Sequence, residues 1–263
     1  MKIINSYIVY LYHNSFISDI KKHIELCGRV CYKSEDRITD DSCTKFIYNL
    51  IQSGHTSVLE HGTIYLKMDC TKDPAEKYIE NPYSFIHIEN GIAYITTNYR
   101  VLVENNWIDD LKFMSNCVYG KHIQRFSFKI VCSRAIANEF VRHRGFSFSQ
   151  ESTRYCNYNK SKFNNEITFI DSESLKDTND FVRFLIHCSF KISEIVYKVL
   201  GKFKLSAQQM RDILPLATKT ELIMTGTTEQ WNEFFKLRCS KNAHPDARKL
   251  AEWIKEKIDY LNR

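Results

Sequence analysis

Arg142, His143 and Arg144 stand in unbroken succession at the start of RHRGFSFSQESTRY (142–155), with Ser147, Ser149, Gln150, Ser152 and Arg154 close behind. Adjacent cations repel, so a triplet of this kind calls for something anionic nearby. Guanidinium forks grip phosphate oxygens in pairs, and serine hydroxyls and loop N–H groups add further donors. The pattern predicts a helix from Ser133 to Arg144, ended by Gly145, with the triplet in its last turn. Cations there meet the negative end of the macrodipole, a gain of about 0.3–1 kcal/mol. That accounts for one or two basic residues, but not for three followed by a serine-rich loop with another arginine. Successive helical residues diverge by about 100°, so Arg142 and Arg144 would point nearly opposite ways. A triplet that all works must then touch more than one anionic group, or serve a site shared between subunits. On residue types alone, a phosphate site and a plain helix end both stay open.

Two more arginines belong with these. Trp231, Phe234, Phe235 and Arg238 fall at i, i+3, i+4 and i+7, one continuous helical face. Arg238 either snorkels from the end of that apolar stripe to water or carries charge into a half-buried cleft, where it acts through a lower dielectric. Arg211 stands four residues before Pro215.

Several familiar chemistries are absent. The eight glycines never come closer than eight positions apart, which excludes G-x-G-x-x-G and Walker A loops. GFSFS ends in serine, so there is no nucleophile elbow. Cys27 and Cys31 are four apart with no second pair, and no H-E-x-x-H occurs. His55, Glu60 and His61 in HTSVLEH match no standard metal spacing, and no metal site is expected.

The elements that must hold these residues read as follows. KIINSYIVYLY (2–12) is strand-like, and a helix capped by Ser18 buries Ile20, Ile24 and Cys27. A second helix, Thr39 to Ser53, presents Phe46, Leu50 and Ile51 and ends at Gly54. SFIHIE and GIAYITTNY flank Asn90-Gly91 as a hairpin. Strands are expected at 125–131 and 165–170, and ELIMTG (221–226) is extended. Helices are expected from Asn179 to Leu200, over 206–214 up to Pro215, from Thr227 with a Gln230 capping box, and from Pro245. The fold class is mixed α/β (α+β), a single domain over 1–263.

With 263 residues, 43% hydrophobic and 13% aromatic, the chain is long enough for one substantial core and is not disordered in composition. A net charge of +6 favours anionic partners, whether nucleotide, nucleic acid or membrane surface. No apolar run approaches the roughly 20 residues of a spanning helix, and the first sixteen residues lack a signal-peptide cleavage site. Nine scattered cysteines do not make a disulfide framework. A cytoplasmic protein with reduced thiols is expected.

RHRGFSFSQESTRY resembles the signature of the flavin-dependent thymidylate synthases, an RHR triplet followed by a serine, here Ser152. SGHTSVLEH, MRDILP and NEFFKLR resemble three further segments of that family, in the same order. The resemblance implies an α/β fold and a homotetramer whose active sites draw on several subunits. It also implies conversion of dUMP to dTMP with 5,10-methylenetetrahydrofolate as methylene donor, FAD as hydride source and NADPH as reductant. By position, His55, Ser57, Glu60, Arg142, His143, Arg144, Gln150 and Thr227 would line FAD. Glu139, Arg142, Gln150, Glu151, Ser152, Thr153, Arg154, Arg211 and Arg238 would bind dUMP. Arg238 would sit against the uracil, favour its N3-ionised form and act without any protein nucleophile. Cys156 would be a bystander.

This chain departs from the family pattern at several positions. Glu139 stands where the family usually has Gln, Gln150 where it commonly has Glu, and Ser149 where Asn is common. Thr227 and Glu233 replace usual Asn residues. About sixty residues near 64–125, including the Asn90-Gly91 hairpin, form an insertion where shorter members pass almost directly. Two other classes fit the composition. One is a basic nucleic-acid-binding protein stacking bases on its many Tyr and Phe. The other is a flavin reductase without dUMP chemistry. Flavin colour and dUMP-dependent turnover separate the three. The resemblance predicts no nucleic-acid or membrane partner.

Overall fold

The computed structural model describes residues 1–12 and 15–262. The strand-like N-terminus breaks at Asn5-Ser6 into β1 (Lys2–Ile4) and β2 (Tyr7–Tyr10), which enter different sheets. Helix α1 (Ile17–Tyr32) buries Ile20, Ile24 and Cys27 as its spacing requires. It begins one residue before Ser18, with Phe16 at the cap position and no side-chain capping bond, so Ser18 is not the cap.

Helix α2 (Ser42–Gln52) starts later than Thr39 and buries Cys43, Ile47 and Leu50. Gly54 closes it at φ +71°, a conformation that favours glycine. Its N–H reaches the Ile51 carbonyl (3.1 Å), and that of His55 reaches Leu50 (2.9 Å). This paired C-terminal cap hands the chain directly to a 3-10 segment, Thr56–His61.

The chain then makes its excursion: β3 (Thr63–Asp69), α3 (Glu76–Ile79), β4 (Phe85–Glu89), β5 (Ile92–Asn98) and α4 (Tyr99–Glu104). Its antiparallel sheet has the order β3-β5-β4. The β4–β5 hairpin turns at Asn90 (φ 50°) and Gly91 (φ 75°), the two positive φ values that a tight hairpin demands. Leu59, Leu66, Ile95 and Leu102 pack there against Ile20, Ile24 and Ile47.

β6 (Arg125–Ser133) leads into α5 (Arg134–Phe140), then β7 (Ser147–Gln150), β8 (Thr168–Ile170), α6 (Asp180–Lys202), α7 (Ala207–Met210) and β9 (Lys219–Thr227). Helices α8 (Thr228–Arg238) and α9 (Pro245–Leu261) follow. The principal sheet is antiparallel throughout, in the order β2-β6-β9-β7. β1 and β8 form a parallel pair. ELIMTG lies inside β9, whose residues from Thr220 to Thr227 are all buried, as befits a strand covered on both faces. On one face Phe128, Phe140, Met224, Trp231, Phe234, Leu250 and Ile254 interdigitate. On the other, Ile223 meets Cys27 and Val30 of α1. Each large side chain buried here contributes about 1.5–3 kcal/mol. The result is one mixed α/β domain. Among the described residues no helix is long and apolar enough to cross a membrane.

Candidate active site

The RHR triplet does not lie in the last turn of a helix. α5 stops at Phe140, and Arg142–Arg144 sit in the turn that follows. An α-helix continuing to His143 would send its N–H to the Glu139 carbonyl, but that oxygen accepts from Arg238 Nη2 at 2.7 Å. The His143 N–H turns to Phe140 instead (3.1 Å). The opposed directions expected for Arg142 and Arg144 on a helix therefore do not apply.

Two close approaches clasp the turn onto the start of α8. The Phe146 ring lies on Gly226, where any Cβ would come within 2.5 Å of a ring carbon. A Cβ on Gly145 would lie 2.9 Å from Gln230 Nε2. Gln230 is held in place by the expected capping box, its Oε1 accepting from the Thr227 N–H (2.8 Å) and its N–H donating to Thr227 Oγ1 (3.2 Å). Thr227, expected on sequence grounds to line a cofactor, is buried and spends its hydroxyl on this cap.

Arg238 does not snorkel. Its side chain is only 12% exposed, and its guanidinium lies against the Phe140 ring, 5.9 Å from the centroid. Nη1 donates to Glu139 Oε2 at 2.5 Å, and Nε donates to His143 Nε2 at 3.0 Å. An Nε2 that accepts leaves the proton of the neutral ring on Nδ1. Burial first, and the Arg238 charge second, lower the His143 pKa and keep that ring neutral. Beside this group opens a cavity of about 810 Å³, bounded in part by His143, Arg144, Phe146, Phe235, Lys236 and Lys255. Arg238, Glu139, His143 and Arg144 thus share one corner.

Residues 150–154 and 211 lie elsewhere. They follow β7, whereas the triplet precedes it; Ser147 pairs with Thr225, and Gln150 pairs with Leu222. Three steps of about 3.3 Å from Ser147 to Gln150 separate the two ends by about 10 Å. Gln150 Nε2 donates to Thr220 Oγ1 (3.3 Å). The Glu151 carboxylate is buried, paired with Lys219 (2.7 Å) and accepting from Tyr158 (3.0 Å). The Ser152 N–H donates to the Cys31 carbonyl, and its Oγ accepts from the Arg154 N–H; Thr153 lies in the intervening turn. Arg154 reaches Gln208 Oε1 (2.9 Å), which puts it beside Arg211, itself 46% exposed next to Asp212. Cys156 is buried, and burial, then Glu151, push its thiol up to about 11.

The third group, His55, Ser57 and Glu60, belongs to the 3-10 segment alongside β7. His61 fixes it there, with Nδ1 2.7 Å from Thr225 Oγ1 and Nε2 3.0 Å from Ser149 Oγ. Arg125 takes the Glu60 carbonyl (3.1 Å). Sequence reading did not find Arg125, Lys219, Lys236 or Lys255. Arg125 and Lys219 find partners distant in the chain, Lys236 pairs with its helix neighbour Glu233, and nothing local sets any of the four apart from ordinary surface cations.

The family described as thymidylate synthase complementing protein matches residues 14–75 and 120–260. The chain belongs to this family. Among curated relatives, the flavin-dependent thymidylate synthase of Mycobacterium tuberculosis (strain ATCC 25618 / H37Rv) is 25% identical over 244 residues, covering 87% of this chain and 71% of the relative. That of Mycolicibacterium vanbaalenii is 24% identical over 248 residues, covering 90% and 74%. A crystal structure of the UMP/dUMP methylase PolB from Streptomyces cacaoi, bound with 5-Br UMP, shares the fold, with a TM-score of 0.50, 14% identity and coverage of 99% and 92%. The family match leaves out 76–119, most of the excursion that carries α3, β4, β5 and α4.

Proposed function

We propose that the chain is an FAD-dependent thymidylate synthase that converts dUMP to dTMP. The observation that carries this reading is the bond between Arg238 and His143, which joins an arginine largely withdrawn from water to the triplet itself. The donor set suits FAD. His143, Arg144, Lys236 and Lys255 would meet a diphosphate, although Glu229 and Glu233 share the lining and Lys236 pairs with Glu233; Phe146 and Phe235 would wall a flat ring, and the cavity falls within the usual range of about 300–1,000 Å³. FAD would be held by Arg142, His143 and Arg144, with His55, Ser57, Glu60 and Gln150. Bound and reduced by NADPH, FAD supplies the hydride, and 5,10-methylenetetrahydrofolate supplies the methylene.

The protein's part is electrostatic. Ser152, Arg154 and Arg211, with the 150–153 loop, bind the dUMP phosphate and sugar. Arg238 meets the uracil and favours its N3-ionised form, which makes C5 the nucleophile towards the methylene. One such preorganised donor is worth about 3–4 kcal/mol of transition-state stabilisation. No protein nucleophile is needed, in keeping with the raised pKa of Cys156.

The site is completed in a homotetramer. The ends of β7 keep Arg238 and Arg154 apart within one chain, so a second copy brings the phosphate-binding half to the uracil-binding half. In support, α6 leaves Phe181, Leu185, Ile192, Ile195 and Val199 between 43% and 68% exposed along one face. An apolar stripe of this length at near-heptad spacing marks a surface that self-associates. The deciding experiment is tritium release from 5-tritiated dUMP, expected only when FAD, NADPH and the folate donor are all present. NADPH oxidation that dUMP neither requires nor alters would leave a bare flavin reductase.

A further inference from the structure

The part of the chain outside the family match returns to the candidate cofactor segment and grips it. α4 begins at Tyr99, whose N–H donates to the Gly62 carbonyl at 2.8 Å, and the Asn98 side chain caps it. From its first turn Arg100 sends Nη1 to Glu60 Oε1 (2.5 Å) and Nε to Glu104 Oε1 (2.8 Å). The same Glu104 oxygen accepts from Thr56 Oγ1 at 2.6 Å. A relay Thr56–Glu104–Arg100–Glu60 therefore spans the 3-10 segment, with Ser57 between its ends. Beside it lies a cavity of about 270 Å³ bounded by Glu60, Asn81, Tyr83, Asn98, Arg100 and Glu104. The inserted residues supply every wall of this cavity except Glu60.

A 3-10 segment holds itself weakly, because its internal hydrogen bonds are poorly aligned. This one is fixed from outside. Arg125, His61 and the Tyr99 N–H hold its backbone side, and Arg100 and Glu104 hold its exposed side chains. Arg100, Glu60 and Glu104 are each a quarter to nearly a half exposed. Ion pairs this exposed add little to folding, so stability alone gives the relay no purpose. Geometry and charge do. A carboxylate on a segment that is to meet an anionic dinucleotide repels it unless a cation balances it.

We propose that Arg100 is a positioning residue of the flavin site. It holds the Glu60 carboxylate, sets the 56–60 segment for the cofactor and cancels the charge that would oppose it. The insertion thereby serves the reaction its family is named for. This inference rests on the flavin reading given above, and the experiment separates the two. FAD titration of the full-length parent protein, followed by flavin fluorescence, tests the reading; a parent that binds no FAD sinks the reading whatever Arg100 does.

Given binding by the parent, Arg100→Gln is expected to weaken FAD about tenfold, the loss of one charge-assisted contact. The thermal midpoint of the flavin-free protein should stay near the parent's, and Arg100→Lys should recover part of the affinity. Raising the ionic strength should narrow the gap between Arg100→Gln and the parent, because salt screens the uncancelled Glu60 charge. An affinity within about twofold of the parent's overturns the proposal. So does a loss that merely follows a fallen thermal midpoint, or one whose size salt leaves unchanged. Should Arg100→Gln not fold, Arg100→Ala removes the same guanidinium from a partly exposed helix position and is held to the same affinity and midpoint criteria.

Discussion

Glu139 closes on Arg238 twice, with its carboxylate 2.5 Å from Nη1 and its backbone carbonyl 2.7 Å from Nη2. The carbonyl contact lies where α5 gives way to the triplet's turn. The carboxylate contact has an electrostatic result. Unit charges at about 4 Å interact by about 4 kcal/mol at an effective dielectric of 20, so Glu139 offsets much of the field Arg238 offers a uracil. Glu139→Gln should therefore strengthen that field. The pH at which bound 5-fluoro-dUMP loses its N3 proton is expected to fall by about one unit or more, read by ultraviolet difference titration. An unchanged ionisation would mean that Glu139 leaves Arg238 when the nucleotide binds.

Arg238→Ala removes the charge altogether. dTMP formation should fall by at least about a hundredfold, the usual loss for one such donor. Bound FAD should remain largely in place, judged by its absorbance, because Arg144 and the lysines around the cavity are kept. Normal turnover would remove Arg238 from the mechanism.

Cys156 follows RHRGFSFSQESTRY directly and is the obvious thiol for adding to a uracil. Yet burial and the neighbouring Glu151 push it up to about 11, so at neutral pH almost none is thiolate. Cys156→Ala should keep most of the dTMP-forming activity, with a stability cost of about 1 kcal/mol for a small cavity. A folded but dead Cys156→Ala would point to thiol catalysis.

Arg154 and Arg238 flank opposite ends of β7, so the proposed site draws them from different copies. Arg154→Ala and Arg238→Ala should each be inactive alone. Co-expressed, they should regain activity, because some mixed sites contain neither substitution. Co-purified mixed oligomers that stay inactive would place both arginines in a site from one chain.

Much of the framework was legible because its signals are local. Thr227 with Gln230 caps α8, Asn90-Gly91 turns the hairpin, Gly54 closes α2, and Asn179 caps α6 through the Val182 N–H. Trp231, Phe234 and Phe235 are buried, as their spacing required, with Arg238 at the end of the stripe. What could not be read is non-local. No neighbour of Phe140 announces that a guanidinium 98 positions later will take the Glu139 carbonyl, or that the helix stops there. Lys219 gains its buried role from Glu151, and Arg100 its role from Glu60, across folds of the chain that local pattern does not encode.

His61 gives the fold an acid limit. Its ring is wholly buried between Thr225 and Ser149, and burial, then the Arg125 charge, lower it from 6.5 to about 3. Between those values the unfolded chain binds a proton that the native ring refuses. Stability is thus fully present above about pH 6.5 and falls as the pH drops towards 3, by at most about 5 kcal/mol from 3.5 units at 1.36 kcal/mol each. Glu221 continues the loss lower down. Burial opposes its ionisation, but Lys219 and Lys33 outweigh that and bring it from 4.5 to about 2. Its contribution is present above 4.5 and disappears as the pH falls through 2. Urea unfolding midpoints should decline steadily from pH 6.5 to 4.5 in the parent. In His61→Gln the hydrogen-bonding side chain no longer titrates, so the variant should be less stable at pH 7 but much flatter across that interval. An equally steep decline in His61→Gln would assign the acid sensitivity to other groups, with His122 and His143, both lowered by burial, the next to substitute.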